Sequence, residues 1–398
     1  MNGERLLKFI LMLTISASSL AVQIFLPSLP SVQGHFNVTA AEVQLAVSIP
    51  LLCVAAGTLF WGVLSDRYGR KPMLMAGLAI FLVGSVMSIF APNIAALVGG
   101  RIIQAFGSAA GVVISRAIVR DVYGRERAAA VLASLIAVMV LAPMMAPIIG
   151  GALVDLIGWY GNFIFMAVFV AATLALTAVG LPETNRAPIA LPGVLSLVAG
   201  YGRLLRSGDF RAYALQSAFM IAVFYVFLSA APYVVLTVMG RTATEYGLCF
   251  ILSTIGYLGG NIATNRLTER WGIDRMIRLS LVIGFASNFG VLGVVAAGWW
   301  NPIALFIPLI GTGLANGMAL PNSNAGAVSV YPELAGTASG LLSFIQLGLA
   351  AVFAQAAGSI QNGTPYPLAV FMCVAIVGAM VAFYGPKGLR ARPSGSAA

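Results

Sequence analysis

The sequence has 398 residues, of which 60% are hydrophobic and only 9% charged, and its mean hydropathy is +0.96. A soluble globular domain carries about 25% charged residues, so this composition excludes a water-soluble fold and indicates a lipid environment. The net charge of +10 does not indicate nucleic-acid binding, because no basic stripe lies on a soluble domain and basic residues gather in the cytoplasmic loops of membrane proteins.

Twelve apolar runs follow one another along the chain, each near the roughly 20 residues that a membrane-spanning helix needs. The first, from Phe9 to Leu29, is too long for a signal-peptide core, so we interpret it as a span. Only helices satisfy their backbone within lipid over such runs, and the predicted fold is an all-α integral membrane protein. The predicted spans are 8–30, 41–64, 72–91, 94–118, 128–154, 160–181, 210–238, 244–268, 274–297, 300–325, 334–359 and 366–386.

The basic residues are concentrated in every second connection between the predicted spans. Twenty of the 22 Lys and Arg residues fall in the tails, in every second connection or at the span ends beside them, and the exceptions are Arg101 and Arg241. Positive residues stay on the cytoplasmic side, so both termini are predicted to be cytoplasmic. The chain is expected to be a multi-pass protein of the cell inner (cytoplasmic) membrane.

A polar stretch and a repeated motif divide the chain into halves. Pro182 to Asp209 follows the sixth span, and we interpret it as a linker with a short surface helix. Asp66-Arg67-Tyr68-Gly69 follows the second span, and Glu269-Arg270-Trp271-Gly272 follows the eighth. Such parallel six-span repeats are typical of one large transporter architecture. The predicted parts are a bundle at 1–181, a linker at 182–209, a second bundle at 210–386 and a cytoplasmic tail at 387–398.

The connection after the second span carries Gly62, Asp66, Arg67, Gly69 and Arg70. Glycine permits a tight turn, and a carboxylate here can lie at a helix N-terminus or pair with arginine. A pair that forms in only one conformation acts as a conformational latch; the alternative is a solvated loop. The segment resembles the signature loop of the major facilitator superfamily. That resemblance implies twelve transmembrane helices in two pseudo-symmetric six-helix bundles.

The fourth span contains Arg101 and Gln104, in a segment that resembles the Arg-x-x-Gln-Gly motif of the same superfamily. An arginine at the centre of a span costs at least about 2.5–3.5 kcal/mol, so it normally faces a polar cavity or a partner. The alternative is an arginine that reaches the outer surface along its own stem. At the end of this span, Asp121 is predicted to pair with Arg70 or Arg120 beside the latch; an ordinary juxtamembrane charge cluster is the alternative.

The fifth span carries prolines among small residues, a pattern that predicts a bendable and closely packed helix interface. It resembles the motif of antiporter members of the superfamily, with alanines replacing two glycines. A merely kinked structural helix is the alternative. The residues are Ala142, Pro143, Ala146, Pro147, Gly150 and Gly151.

Three segments together narrow the resemblance within the superfamily. They run from Arg116 to Asp121, from Ala142 to Gly151 and from Leu320 to Gly340. They resemble the bicyclomycin/chloramphenicol-resistance (Bcr/CflA-type) drug:proton antiporters along essentially the whole chain. The resemblance implies efflux of small organic molecules in exchange for protons, as in multidrug resistance.

The first span departs from that subfamily, because Gln23 stands where those exporters usually have an acidic residue. Glutamine cannot carry a titrating proton. On the predicted spans, each of the twelve Asp and Glu residues lies at a span end, in a loop or in the N-terminal tail. Coupling therefore uses an acid at the rim, such as Asp121, Asp155 or Glu42, or the protein is not an ordinary proton antiporter.

Polar residues from several spans are candidates for a substrate cavity. A cavity with one arginine and no carboxylate attracts anions or neutral polar molecules better than cations. For each candidate a hydrogen bond between helices is an equally good interpretation. The candidates are Gln23, Arg101, Gln104, Tyr225, Tyr257, Asn261, Asn316 and Gln346.

The leading hypothesis is an inner-membrane exporter that works by alternating access, and the alternative is an importer or uncoupled facilitator of a polar or anionic solute. A membrane enzyme is not indicated, because no nucleophile–base pair or metal cluster appears within the spans. A non-transporting receptor stays open. We expect a small-molecule substrate, protons as a candidate coupling ion and the lipid bilayer as partners, a monomer, no cofactor, no metal and no nucleic acid.

Overall fold

The structure, a computed structural model, describes residues 3–123, 125–185 and 194–388. Fourteen α-helices make up nearly all of these residues, which contain no strand. The helices are α1 Gly3–Gln23, α2 Leu29–Phe36, α3 Ala40–Tyr68, α4 Arg70–Ile89, α5 Ile94–Val122, α6 Arg125–Ile157, α7 Gly161–Gly180, α8 Val194–Arg206, α9 Gly208–Pro232, α10 Ala243–Trp271, α11 Ile273–Ala296, α12 Pro302–Ser329, α13 Ala335–Ser359 and α14 Tyr366–Gly388.

The predicted membrane-spanning helices are confirmed in type and in position. In the described part of the chain, eleven helical stretches are long and apolar enough to cross a membrane. The predicted span at 128–154 lies in α6, and many of that helix's side chains lie outside the described residues. Helix ends agree within a few residues, because lipid offers the backbone no alternative to the helix over an apolar run.

The first predicted span is wrong in one respect, because it is not a single helix. Helix α1 ends at Gln23, a single 3-10 turn covers Leu26–Ser28, and α2 begins at Leu29. Pro27 and Pro30 lie at the starts of the second and third of these elements. Proline lacks a backbone N–H and its ring clashes with the preceding turn, so each one ends a helix here. A short π-helix, Tyr233–Val238, likewise follows Pro232 at the end of α9.

By packing, the chain forms two compact units. Among the described residues, the first unit holds everything up to 185 together with 228–251 and 354–364. The second unit holds 194–227, 252–353 and 365–388. The predicted division at 182–209 stays a prediction, and residues 186–193 of that linker and 389–398 of the predicted tail lie outside the described residues.

Close contact between α4 and α5 positions the candidate residues of the fourth span. A β-carbon added at Gly84 would overlap the backbone N–H of Gln104, and one added at Gly107 would overlap that of Phe81. Only glycine permits backbones to approach this closely. The contact brings α5, which carries Arg101, directly against α4.

Candidate functional site

Arg101 lies at the break between α1 and α2. Its Nη1 donates to the carbonyl of Ala21 at 2.7 Å, and its Nε donates to the carbonyl of Ala46 on α3 at 3.2 Å. The guanidinium also lies over the ring of Phe25, 4.8 Å from the centroid. The last carbonyls of a helix lack intrahelical partners and carry partial negative charge, so a cation is stabilised at this end of α1.

The alternative of an arginine reaching the surface is wrong, since Arg101 is only 2% exposed. Its Nη1 also donates to Oε1 of Gln104, whose Nε2 donates to Ser85 Oγ on α4 at 2.9 Å. Gln23 is buried as well, and its Oε1 has no hydrogen-bond partner among the described residues. Arg101 thus links α1, α3 and α5 through neutral acceptors. Its direct contact with substrate stays a prediction.

The other predicted cavity residues all lie in the second unit. Asn261 donates to the carbonyl of Tyr257, and Asn316 donates to that of Thr312, so these two amides bond within their own helices. Tyr225 lies on α9 and is partly buried. Gln346 differs, because its amide bonds side chains on two neighbouring helices.

The latch residues converge on Arg70, the first residue of α4. Its Nε donates to Asp121 at 2.9 Å, and its Nη1 donates to Asp66 and, at 2.8 Å, to Ser65. Of the two predicted partners for Asp121, the structure therefore selects Arg70. Arg120 is exposed at the end of α5.

Glycines shape the chain around this latch. Gly69 joins α3 to α4 with a φ of +100°, a conformation that side-chain-bearing residues rarely adopt. Gly62 lets α3 lie close to Val113 of α5. Arg67 is exposed and lies over the ring of Tyr68.

Glu183 also contacts the residues of the predicted latch, although it belongs to none of the sequence motifs described above. Its carboxylate accepts the backbone N–H groups of Arg70 at 2.9 Å and Lys71 at 3.1 Å, at the N-terminus of α4. Partial burial opposes its ionisation, but these donors, with the N–H groups of Thr184 and Asn185, hold the pKa of Glu183 below its ordinary value. Its position directly after the sixth span was the available signal.

The antiporter-type residues of α6 lie in close helix contacts within the first unit. A β-carbon at Gly150 would overlap the carbonyl of Ile24 beside the α1 break, and one at Gly151 would overlap the carbonyl of Ala243 at the start of α10. Pro147 contacts Gly247 of α10 through its own carbonyl. Ala146 is fully buried, and Ala142 packs against the core of the unit. The side chain of Pro143 lies outside the described residues.

Polar bonds join the same helix ends, at what we call the far end of the first unit: the start of α3, the end of α6, the start of α10 and residues 354–364. The carboxylate of Asp155 accepts the backbone N–H of Thr244 at 2.9 Å and its hydroxyl at 2.6 Å. Ser48 donates to Gln355 at 2.6 Å, and Gln355 donates to the carbonyl of Ala41 at 3.0 Å. These partners were not predicted from the sequence, because they lie far apart along it.

We expect Asp155→Ala to loosen the contact between α6 and α10, because it removes the acceptor from two donors at a helix start. Losing such a cap costs about 1–2 kcal/mol, which is roughly a tenfold shift in the ratio of closed to open far ends. The measurement is the distance between spin labels at Leu156 and Leu248, both exposed, in a chain without its native cysteines.

Glu42→Ala is the matched control for this experiment. Glu42 also accepts two hydrogen bonds from a threonine at a helix start. That threonine, Thr39, caps α3, the helix to which Glu42 itself belongs, so the bonds join no second helix. We expect its removal to leave the label distance unchanged. An unchanged distance in Asp155→Ala, or an equal change in both variants, would count against a role of Asp155 in holding the far end closed.

Carboxylates are confined to helix ends throughout. Every Asp and Glu lies in the first or last turn of a helix or outside the α-helices. No group of three or more His, Cys, Asp or Glu side chains in the described part of the chain could hold a metal ion. Among the described residues, the site is therefore built from two buried cations, Arg70 and Arg101, with neutral hydrogen-bonding groups and rim carboxylates.

Comparison with known proteins gives consistent relatives over most of the chain. The chain is 26% identical to a bicyclomycin resistance protein homolog of Haemophilus influenzae, over 94% of this chain and 96% of the relative. It is 29% identical to a chloramphenicol resistance protein of Pseudomonas aeruginosa, over 80% and 76%. It is 26% identical to multidrug resistance protein D of Escherichia coli, over 87% of each chain. The predicted resemblance to this subfamily is confirmed.

Solved transporter structures share the fold. A D-xylose–proton symporter superposes with a TM-score of 0.76 at 14% identity, covering 94% of this chain and 97% of that one. A nucleoside transporter superposes with a TM-score of 0.77 at 13% identity, covering 98% and 100%. Such low identity shows the fold alone. The sequence model of the Major Facilitator Superfamily matches residues 11–355, and the chain therefore belongs to this family of multi-pass membrane transporters of small molecules.

Proposed function

We propose that this transporter is an efflux carrier of the inner membrane, exporting small uncharged or anionic organic molecules by alternating access. The observation that carries the proposal is the similarity to bicyclomycin, chloramphenicol and multidrug resistance proteins over 80–94% of this chain. The latch around Arg70 and the close contacts of Gly150 and Gly151 support it, because both join helix ends that must separate during a transport cycle.

The proposed orientation places the latch in the cytoplasm and the far end of the first unit outside. It follows from the distribution of basic residues, of which Arg241 is the exception predicted to lie outside. In this orientation both termini are cytoplasmic.

We further propose that the protein acts as a monomer.

Arg101 contributes to this function through the α1 break. Its guanidinium bonds two backbone carbonyls and Gln104 through Nε and Nη1, whereas its buried Nη2 has no hydrogen-bond partner among the described residues. Arg101 holds the elements that move around it, and its unpartnered Nη2 is compatible with an uncharged acceptor and with an anion.

The second candidate is an importer or uncoupled facilitator on the same fold. Gln23 and the confinement of carboxylates to helix ends favour it, because proton coupling normally needs a titrating group that both sides can reach in turn. Export coupled to protons would then depend on a rim acid.

A substrate panel in proteoliposomes tests the proposal. Chloramphenicol represents neutral amides, ethidium represents lipophilic cations and fluorescein represents anions, and proton movement is recorded at the same time. We expect uptake of chloramphenicol into inside-out vesicles, which corresponds to export from cells. Transport of ethidium alone would overturn the substrate class, and equal flux in both directions without a pH gradient would favour the facilitator.

We expect Gln23→Asp to make transport more dependent on pH, because it restores a titrating group at the α1 break near Arg101. The measurement is the ratio of transport rates at pH 6 and pH 8 in the variant and in the parent chain. The control is Gln361→Asp, the same amide-to-acid change at a position outside the helices. A variant no more pH-dependent than the parent would count against position 23 as the missing coupling site.

A further inference from the structure

A ladder of uncharged side chains joins three helices in the second unit. The amide nitrogen of Gln346 on α13 donates to Ser217 Oγ on α9 at 2.9 Å and to Asn324 Oδ1 on α12, also at 2.9 Å. Beside it, Ser323 donates to the side-chain carbonyl of Gln216, and both of these residues are buried. The bond between Ser323 and Gln216 fixes α12 against α9, so two helices hold the ladder residues in place.

The ladder leaves two hydrogen-bonding atoms unused. A glutamine amide nitrogen carries two hydrogens, and Gln346 uses both, so its remaining group is the acceptor Oε1. Asn324 accepts through Oδ1, so its remaining group is the donor Nδ2. One acceptor and one donor, both without a formal charge, therefore remain on two side chains that bond each other.

These atoms lie at a depth where they need water or a ligand. Gln346 follows the start of α13 by eleven residues, about 16 Å along the helix axis, which is near half of a bilayer core. Asn324, its partner, is exposed although it lies within a span. Lipid offers no hydrogen-bond partners, so burying an unpaired amide group in lipid costs several kcal/mol. The exposed amide of Asn324, five residues before the end of α12, therefore requires water or a ligand beside it rather than lipid.

We infer that Gln346 and Asn324 form a substrate subsite for an uncharged group that carries both a hydrogen-bond donor and an acceptor, such as a secondary amide, a lactam or a urea. The inference rests on the proposed function and specifies the substrate class. A neutral donor–acceptor pair matches the two free atoms of the ladder, whereas a charged group would lose its hydration without gaining a counter-charge from it.

Equilibrium binding to the purified full-length chain tests the subsite. The probes are radiolabelled chloramphenicol, its N-methyl amide, which lacks the donor, and ethidium, which has no amide. The variants are Gln346→Met and Asn324→Leu. The control is Asn288→Leu, a buried amide of α11 in the same unit whose nitrogen bonds only to the Gly284 carbonyl of its own helix.

We expect Gln346→Met and Asn324→Leu each to weaken chloramphenicol binding about tenfold, to leave ethidium binding unchanged and to differ clearly from Asn288→Leu. N-methylation should weaken binding to the parent chain by a similar factor but cost nothing further in Gln346→Met, as expected for two changes that remove one interaction. A purely structural ladder would instead lower the binding of both probes together, and that result would overturn the inference.

The binding result separates the subsite from the proposed function. A parent chain that exports ethidium from cells but does not bind chloramphenicol would support efflux while overturning both the subsite and the uncharged or anionic substrate class. Selective loss of chloramphenicol binding in Gln346→Met, with no export of any probe by the parent chain, would support the subsite and overturn the proposal of efflux.

Discussion

Replacing Arg101 with leucine is expected to destabilise the first unit strongly and to abolish transport. The substitution leaves the carbonyls of Ala21 and Ala46, and Oε1 of Gln104, without their donor in a buried site. Each unsatisfied buried group costs about 1–3 kcal/mol, so the expected loss in the free energy of unfolding is roughly 3–5 kcal/mol after partial relaxation. The measurement is the thermal stability of the detergent-solubilised protein, followed by fluorescence-detected size-exclusion chromatography.

Two further variants separate the geometry of Arg101 from its charge. Arg101→Lys keeps the positive charge but lacks the planar fork that reaches two carbonyls on different helices, so we expect it to recover less than half of the lost stability. Arg120→Leu removes the same side chain from an exposed position of the same helix, and we expect a change within about 0.5 kcal/mol. Equal stability of Arg101→Leu and Arg120→Leu would contradict the bridging role.

How Arg101 is accommodated illustrates what the sequence could and could not predict. Its burial and its importance were predictable, because a lone charge within an apolar run needs a polar partner. Its partners were not, since they are backbone carbonyls that any residue type supplies. The break that makes Ala21 available was visible as Pro27 and Pro30, but the apolar run continues through both prolines, so hydropathy alone predicts one helix.

The same limit applies to contacts between distant segments. The apolar runs predicted the helices because lipid permits no other backbone. The signature loop predicted Asp66 and Arg70, and the end of the fourth span predicted Asp121 as a partner of Arg70 or Arg120. Glu183 was missed because it lies 113 residues from Arg70 in sequence and belongs to no motif of that loop. Asp155 was considered as a titrating acid, whereas the structure makes it the cap of another helix.

Replacing Arg70 with leucine is expected to reduce transport about tenfold or more, through a change in the balance between conformations. Arg70 is the only described residue that bonds both Asp66 and Asp121, and its backbone N–H also bonds Glu183. Without the guanidinium, two carboxylates stay close together without a cation between them, so like-charge repulsion opens the latch. The loss in free energy is roughly 2–4 kcal/mol, because the pair is only partly buried.

The two carboxylates are expected to contribute unequally to the latch. The side chain of Asp121 is 24% exposed and that of Asp66 is 44% exposed, while the Arg70 side chain is 10% exposed. Water screens the more exposed pair more strongly, so Asp121→Asn should reduce transport more than Asp66→Asn. Transport rates of the two variants at matched expression provide the measurement, and the reverse order would contradict the burial argument.

Arg67→Leu is the control that distinguishes the latch from the charge of the loop. It removes the same positive charge three positions away, from an exposed side chain that lies over the Tyr68 ring. Because that contact is exposed, it contributes at most about 1 kcal/mol, and transport should stay within a factor of two to three of the parent chain. If Arg67→Leu and Arg70→Leu reduced transport equally, the loop would act through its net charge. A large loss confined to Arg70→Leu requires the specific bonds from α4 to α3 and α5, since the two variants carry the same net charge.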